Sequence, residues 1–273
     1  MIKTENLYTN VLGRTFLKTC QKAGAFRFSA WFLRTKASKH LIPGYIKKNG
    51  IDMHPYEGQV FESFSSFFAR KRDAVDFAID PEALISPCDG LLSIYTVTQE
   101  LTIPMKGSIY GLSDLLPDEE TARLFGDGLC LVFRLEASDY HHFCCFDDGL
   151  LVETHHIPGQ LHSVQPIAHR KVPVFRLNRR WWSVIETKNF GTAAQIEIGA
   201  MLVGGVSFAV DEPVLNKGDE MGNFELAGST IVLLLNPSAR NRLKLREEIT
   251  PALDGKKEVR VNMGTTIGNL QDE

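Results

Sequence analysis

The sequence predicts an α+β fold in which a helical N-terminal segment, residues 1–75, precedes a β-rich barrel- or sandwich-like domain, residues 76–273. Three observations carry this. In the first part, apolar residues recur at helical spacing, as Phe28, Trp31 and Phe32 do at i, i+3 and i+4. From about residue 84 the pattern becomes short apolar runs, several alternating with a period of two, set apart by closely spaced turn residues. The composition, 44% hydrophobic and 23% charged over 273 residues, supports a sizeable core and excludes a disordered chain.

The elements follow in order. Residues 7–48 contain few β-branched side chains and read as helical, with Arg14, Lys18 and Lys22 repeating every four residues as one basic stripe. Phe61 to Arg72 reads as a second short helix with Phe64, Phe67 and Phe68 on one face. Arg70, Lys71 and Arg72 then fall near its C-terminus, where the helix dipole favours cations. Strands are expected over 129–135, 150–157, 181–187, 193–198 and 230–235, and within the apolar run 198–210. The polar tail 237–273 is expected to be only partly regular.

Charge is unevenly placed. The first 50 residues hold ten Lys/Arg and one acid, Glu5, a balance of +9 that leaves −12 for the remaining 223. A basic end on an acidic body suggests an anionic membrane surface as partner. With a formal net charge of −3 the chain carries no whole-protein footprint for nucleic acid. The best apolar run, Ile198 to Val210, is 13 residues, short of the roughly 18–20 of a spanning helix. No continuous signal core occurs in the first 30 residues. Five cysteines without CxxC spacing read as free thiols in a reducing compartment.

Four segments stand out. Ser86-Pro87-Cys88-Asp89-Gly90 is a turn between apolar runs. Asp139-Tyr140-His141-His142-Phe143-Cys144-Cys145 follows an apolar strand; neighbours on a strand point to opposite faces, so His141 and His142 do not readily share a metal, and no metal site is expected. Lys217-Gly218-Asp219-Glu220-Met221-Gly222-Asn223-Phe224 is a glycine-punctuated acidic turn and not a P-loop. Gly228-Ser229-Thr230 precedes the five apolar residues Ile231 to Leu235 and is not the G-x-S-x-G of a hydrolase elbow.

These segments occur in the order, and with the flanks, of one family. The chain resembles the phosphatidylserine decarboxylases along most of its length. The resemblance runs from Ile46-Lys47-Lys48 and Gly50-Ile51-Asp52-Met53 through Phe64-Ser65-Ser66-Phe67-Phe68-Ala69-Arg70-Lys71, SPCDG at 86–90 and Lys106-Gly107 with Tyr110. It continues through DYHHF at 139–143, PGQLHSVQP at 158–166, Asn178-Arg179-Arg180 and Gly199-Ala200-Met201-Leu202-Val203-Gly204, and ends with KGDEMGNF and GST at 228–230.

The resemblance implies a pyruvoyl-dependent carboxy-lyase that makes its own prosthetic group and converts phosphatidylserine to phosphatidylethanolamine and CO2. Loss of CO2 from an amino acid leaves a carbanion, and a ketone condensed with the substrate amine as a Schiff base is an electron sink that no side chain supplies. In the family the chain breaks before the serine of the GST motif, here between Gly228 and Ser229, giving a β chain of residues 1–228 and an α chain of residues 229–273 whose first residue is the pyruvoyl group. His141 matches the base for Ser229, and Asp89 matches the residue that orients this histidine and stabilises its charged form; Asp139 is read as holding the loop. The family's DYHRxH reads here with Cys144 at the second histidine, which makes Cys144 the candidate proton donor in decarboxylation. A homodimer of αβ protomers, peripheral at the cytoplasmic face of the cell membrane, is also implied. The alternatives are a pyruvoyl enzyme for another amino-acid compound, a Ser/His/Asp hydrolase without self-processing, and an unprocessed relative that only binds lipid.

Overall fold

The computed structural model describes residues 8, 10–22, 24–77, 80–105, 108–169, 171–200, 205–226 and 229–271. The N-terminal part is helical as expected: α1 (Val11–Lys22), α2 (Ala25–Arg34) and α3 (Ile42–Asn49), with a 3-10 turn at Lys36–Leu41. The side chains of Arg14, Lys18 and Lys22 lie outside those described. The second helix is shorter than its sequence suggests. α4 spans only Phe64–Phe68, because Ser63 and Ser66 form a capping box that fixes its start. The backbone then leaves the helix at Ala69. Arg70 Nη1 donates back to the Phe67 carbonyl in the last turn at 3.5 Å. The three cations also extend to different partners described below.

Sixteen strands follow among the described residues: β1 (Ala83–Ile85), β2 (Gly90–Thr96), β3 (Thr102–Met105), β4 (Ser108–Gly111), β5 (Leu129–Arg134), β6 (His142–Cys144), β7 (Gly149–Ile157), β8 (Arg180–Thr187), β9 (Gly191–Ile198), β10 (Val206–Phe208), β11 (Val214–Leu215), β12 (Glu220–Phe224), β13 (Thr230–Leu235), β14 (Leu243–Leu245), β15 (Val259–Val261) and β16 (Thr266–Leu270). The main sheet is antiparallel, with order β11-β7-β8-β9-β13-β5-β2-β15. It ends at β11 and β15 and closes no barrel among the described residues, so the sandwich alternative holds. Two three-stranded sheets, β1-β16-β14 and β10-β12-β6, cover one of its faces. The tail is more regular than its polarity suggests, with a helix at Pro237–Arg242 and β14 to β16 paired into these sheets.

β13 explains its own composition. It is flanked by β9 and β5 and covered on both faces, so all six residues are buried. Ile231, Leu233 and Leu235 face the side covered by the small sheets, while Val232 and Leu234 face the side packed by Leu112, Leu115, Phe125 and Phe175. Each fully buried side chain of this size contributes about 1.5–3 kcal/mol. The helices are not packed apart from the strands: Ile42, Ile51, Phe64, Phe67 and Phe68 form one cluster with Leu226, shortly before Ser229.

Candidate active site

Four neighbouring strands bring the motifs to one end of the main sheet: the start of β2, the end of β5, the start of β13 and the end of β9. Leu91 and Thr230 both pair with Arg134, and Thr230 pairs with Ile198 on its other side. Ser229 extends β13 by one step, since its carbonyl accepts the Leu135 N–H at 2.9 Å. It is 1% exposed, and its Oγ has no hydrogen-bond partner among the described residues. Gly228 lies outside the described residues.

The Ser86–Gly90 turn reaches this end because Gly90 has no side chain. A Cβ there would stand 3.0 Å from the Arg134 carbonyl oxygen. The turn presents Asp89, 4% exposed, to four donors. Arg72 grips both carboxylate oxygens, Nη2 to Oδ2 at 2.6 Å and Nη1 to Oδ1 at 3.2 Å, while the N–H groups of Met263 and Tyr140 donate at 2.9 and 3.2 Å. A two-pronged charge-assisted contact of this kind is among the stronger polar interactions in proteins.

His141 is fully buried against the Phe68 ring, with centroids 4.1 Å apart. Its Nδ1 lies 2.9 Å from the Asp139 carbonyl oxygen. A carbonyl only accepts, so Nδ1 carries the proton and Nε2 keeps a free lone pair. Nε2 has no partner. Burial, assisted by the Arg70 charge, pushes the imidazole down to about 3, so the ring is neutral. The described hydrogen bonds of Asp89 run to Arg72, Tyr140 and Met263 and not to His141 itself. Asp89 holds the N–H of the preceding residue, Tyr140, and the Asp139 carbonyl orients the ring. The Asp139 carboxylate closes the loop by accepting from Glu136 N–H at 2.7 Å and Arg260 Nη1 at 2.7 Å.

The basic trio frames this loop. Arg70, 2% exposed, donates to the Ser138 and Asp139 carbonyls at 3.2 and 3.0 Å, Lys71 pairs with Glu220, and Arg72 holds Asp89 while lying over the Tyr140 ring at 4.5 Å. His142 faces away from His141's partners, with Nδ1 at 2.7 Å from Glu220 and Nε2 at 3.1 Å from the Ala69 carbonyl. Cys144 is buried behind the turn. Its N–H donates to the Pro87 carbonyl at 2.8 Å, its Sγ lies 3.9 Å from the Ser86 carbonyl, and burial pushes its thiol well up. Its described hydrogen bonds thus run to the Ser86–Pro87 backbone and not to His141 or Ser229.

One residue was not singled out from the sequence. Glu197 on β9 is fully buried; its Oε1 accepts from Gln195 Nε2 at 2.9 Å and its Oε2 has no partner. Burial pushes its carboxyl up to about 7. The available signal was an acid between Ile196 and Ile198, on the inward face of a strand with Gln195. A cleft of about 420 Å³ opens beside this end of the sheet, lined by Asn49, Arg134, Leu135, Ser163 and Ala200 among others. Asn178 steadies its wall by donating to the Gly199 carbonyl at 2.7 Å.

The comparisons with known proteins agree with this geometry. A family model described as phosphatidylserine decarboxylase matches residues 61–269. The chain is 39% identical over 269 residues to phosphatidylserine decarboxylase proenzyme 2 of Clostridium acetobutylicum, covering 97% of this chain and 91% of the relative. It is 37% identical to the phosphatidylserine decarboxylase proenzyme of Ruminiclostridium cellulolyticum (98% and 91% covered) and 35% identical to that of Clostridium kluyveri (96% and 90% covered). With the matched region embracing the Asp89 turn, the His141 loop and Ser229, the chain belongs to the phosphatidylserine decarboxylase family.

Proposed function

We propose that this protein cleaves itself between Gly228 and Ser229, turns Ser229 into a pyruvoyl group, and decarboxylates phosphatidylserine to phosphatidylethanolamine and CO2. The observation that carries the reading is Ser229 itself: a buried serine at the start of the central strand, its hydroxyl unpartnered, at the sheet end where the Asp89 turn and the His141 loop meet. A hydroxyl buried without a partner costs about 1–3 kcal/mol, which a purely structural position has no reason to retain.

In maturation, Ser229 Oγ attacks the Gly228 carbonyl carbon, the amide becomes an ester, and the hydroxyl proton passes to the departing Ser229 nitrogen by way of His141 Nε2. Burial keeps that nitrogen unprotonated and ready to accept. Elimination of the ester frees the Gly228 carboxylate and leaves dehydroalanine at 229, which hydrolyses to pyruvoyl and ammonia. The pyruvoyl carbonyl supplies the electron sink for the pair left when CO2 departs. Asp89 acts on His141 at one remove, through the Tyr140 N–H, as a positioning residue. Cys144 is assigned the return of a proton to the product; burial keeps its thiol protonated and also makes it a weaker acid. The test is release of phosphatidylethanolamine from phosphatidylserine by fully matured protein; matured protein inert toward this lipid overturns the substrate. In the same assay Cys144→Ser is expected to lower turnover while leaving self-cleavage intact, and unchanged turnover removes Cys144 from the chemistry.

The region 1–75 is read as the membrane-associating part, at the cytoplasmic face of the cell membrane, in a homodimer of αβ protomers. Among the described residues no helix is long and apolar enough to cross a bilayer. Leu12 and Phe16 on α1 and Phe28 and Trp31 on α2 are exposed within residues 1–50, whose net charge is +9, a combination suited to an anionic lipid surface. Each Lys or Arg near such a surface contributes about 1 kcal/mol. Binding to anionic vesicles should exceed binding to neutral ones, weaken with added salt, and fall in Phe28→Ser with Trp31→Ser. Equal affinity for neutral and anionic vesicles at low salt contradicts the electrostatic part.

A further inference from the structure

We propose that Glu197 is the group that removes the Cα proton of Ser229 during the elimination step of self-cleavage and then returns a proton to Cβ. The inference rests on the reading of Ser229 given above and adds a residue that neither the family motifs nor the turn at Asp89 contains.

The register places the two as diagonal neighbours on adjacent strands. β13 and β9 pair Thr230 with Ile198 and Ile231 with Glu197. Odd-numbered residues of both strands face the side covered by the small sheets: Ile231, Leu233 and Leu235 on β13, and Ala193 on β9, with Gln195 reaching Met221 Sδ at 3.6 Å. Ser229 and Glu197 therefore share a face as diagonal neighbours, with Cα atoms about 7–8 Å apart and within reach of a long side chain. Glu197 also lies near enough to the catalytic turn for its charge, after burial and with Asp89, Cys144 and Asp139, to help push the Cys88 thiol up.

The backbone supplies the direction. In an extended residue the carbonyl and the Cα–H leave the strand on opposite sides. The Ser229 carbonyl points to Leu135 on the β5 side, so its Cα–H points toward β9. The carboxylate there has an unpartnered Oε2, and the serine has an unpartnered Oγ. Gln195 holds the other oxygen, Oε1, in place.

The chemistry needs a group of this kind twice. Once the ester has formed, the Cα–H bond breaks and its proton goes to Glu197 Oε2. The electron pair becomes the Cα–Cβ double bond, the Cβ–O bond breaks, and the Gly228 carboxylate leaves. The resulting enamine must gain a proton at Cβ before water displaces ammonia, and the now protonated Glu197 gives it. The carboxyl ends as it began. Its raised value, about 7, suits both halves of this exchange near neutral pH.

The test is Glu197→Gln in the full chain, an isosteric change that removes the base. Elimination is expected to slow on the order of 10²-fold, so the chain runs uncleaved but carries the ester. Hydroxylamine, which attacks esters far faster than amides, should then cut it at 229 and expose a free serine amino terminus, read by intact mass. Maturation at the wild-type rate overturns the proposal. So does a cooperatively melting Glu197→Gln chain that hydroxylamine leaves intact at 229, because the block then precedes the ester. Should the glutamine variant fail to melt cooperatively, Glu197→Asp draws the carboxylate back by one methylene. The same transient ester is expected there, and wild-type maturation again overturns the assignment. Wild-type protein run in parallel separates the underlying reading: if it has no break at 229, self-cleavage fails whatever Glu197 does.

Discussion

Ser229→Ala is expected to leave one uncleaved chain of 30.6 kDa with no decarboxylase activity. The substitution removes the oxygen proposed to attack the Gly228 carbonyl, and with it the atom framework from which the pyruvoyl group would be made. It should not harm the fold. Ser229 is 1% exposed and its Oγ has no partner, so alanine deletes a buried orphan hydroxyl and leaves no broken hydrogen bond. Stability should rise by about 1 kcal/mol, the low end of the cost of such a group. Loss of function together with an unchanged or raised melting temperature therefore points to chemistry. Intact mass gives the complementary result for wild type: fragments of residues 1–228 and 229–273, the smaller with a blocked first residue. A free amino terminus at residue 229 in active wild-type protein contradicts the pyruvoyl mechanism.

The second large effect is expected at Asp89. Asparagine keeps one acceptor, but it turns an amide NH₂ toward donors that surround the site and cancels the charge that Arg72 grips through two contacts. Breaking a buried ion pair costs about 3–5 kcal/mol; the Arg72 side chain is 24% exposed, so about 2–4 kcal/mol is expected. Measured by urea unfolding in the Ser229→Ala background, where no cleavage intrudes, Asp89→Asn should show this loss. In the chain that retains Ser229, it should also slow self-cleavage, because release of the Tyr140 N–H loosens the loop that aims His141. Arg72→Gln should slow cleavage in the same direction, and the two changes combined should cost less than their sum. Cleavage at the wild-type rate in folded Asp89→Asn removes the carboxylate from the positioning of His141.

Much of the architecture was legible in the sequence because it depends on local periodicity. Strands β5, β7, β8, β9 and β13 lie within a residue or two of their expected bounds, since alternation in AAQIEI and an unbroken TIVLLL report one or two covered faces directly. The helix expected to Arg72 ends at Phe68 because the residues after it are needed elsewhere. Which carboxylate takes which arginine is a long-range matter: Arg72 meets Asp89 across 17 positions and Arg260 meets Asp139 across 121, and no local pattern encodes either. The orientation of His141 was illegible for a related reason, since it is held by a backbone carbonyl, which every residue possesses. Glu197 was written plainly in the sequence, but its meaning depends on which strand lies beside it.

The position of β13 between β9 and β5 has a consequence for the protein's life history. The break proposed just before Ser229 would leave a 45-residue piece that supplies the centre of the main sheet, while its β15 and β16 pair with strands of the larger piece. The pieces are interlaced like a woven seam, so the cut does not release them. It erases the linkage that let the chain find this arrangement in the first place. Folding must come first, and it happens once: after maturation, unfolding turns an intramolecular search into an encounter between two separate polypeptides. The mature enzyme should persist by the height of its unfolding barrier and not by reversible refolding.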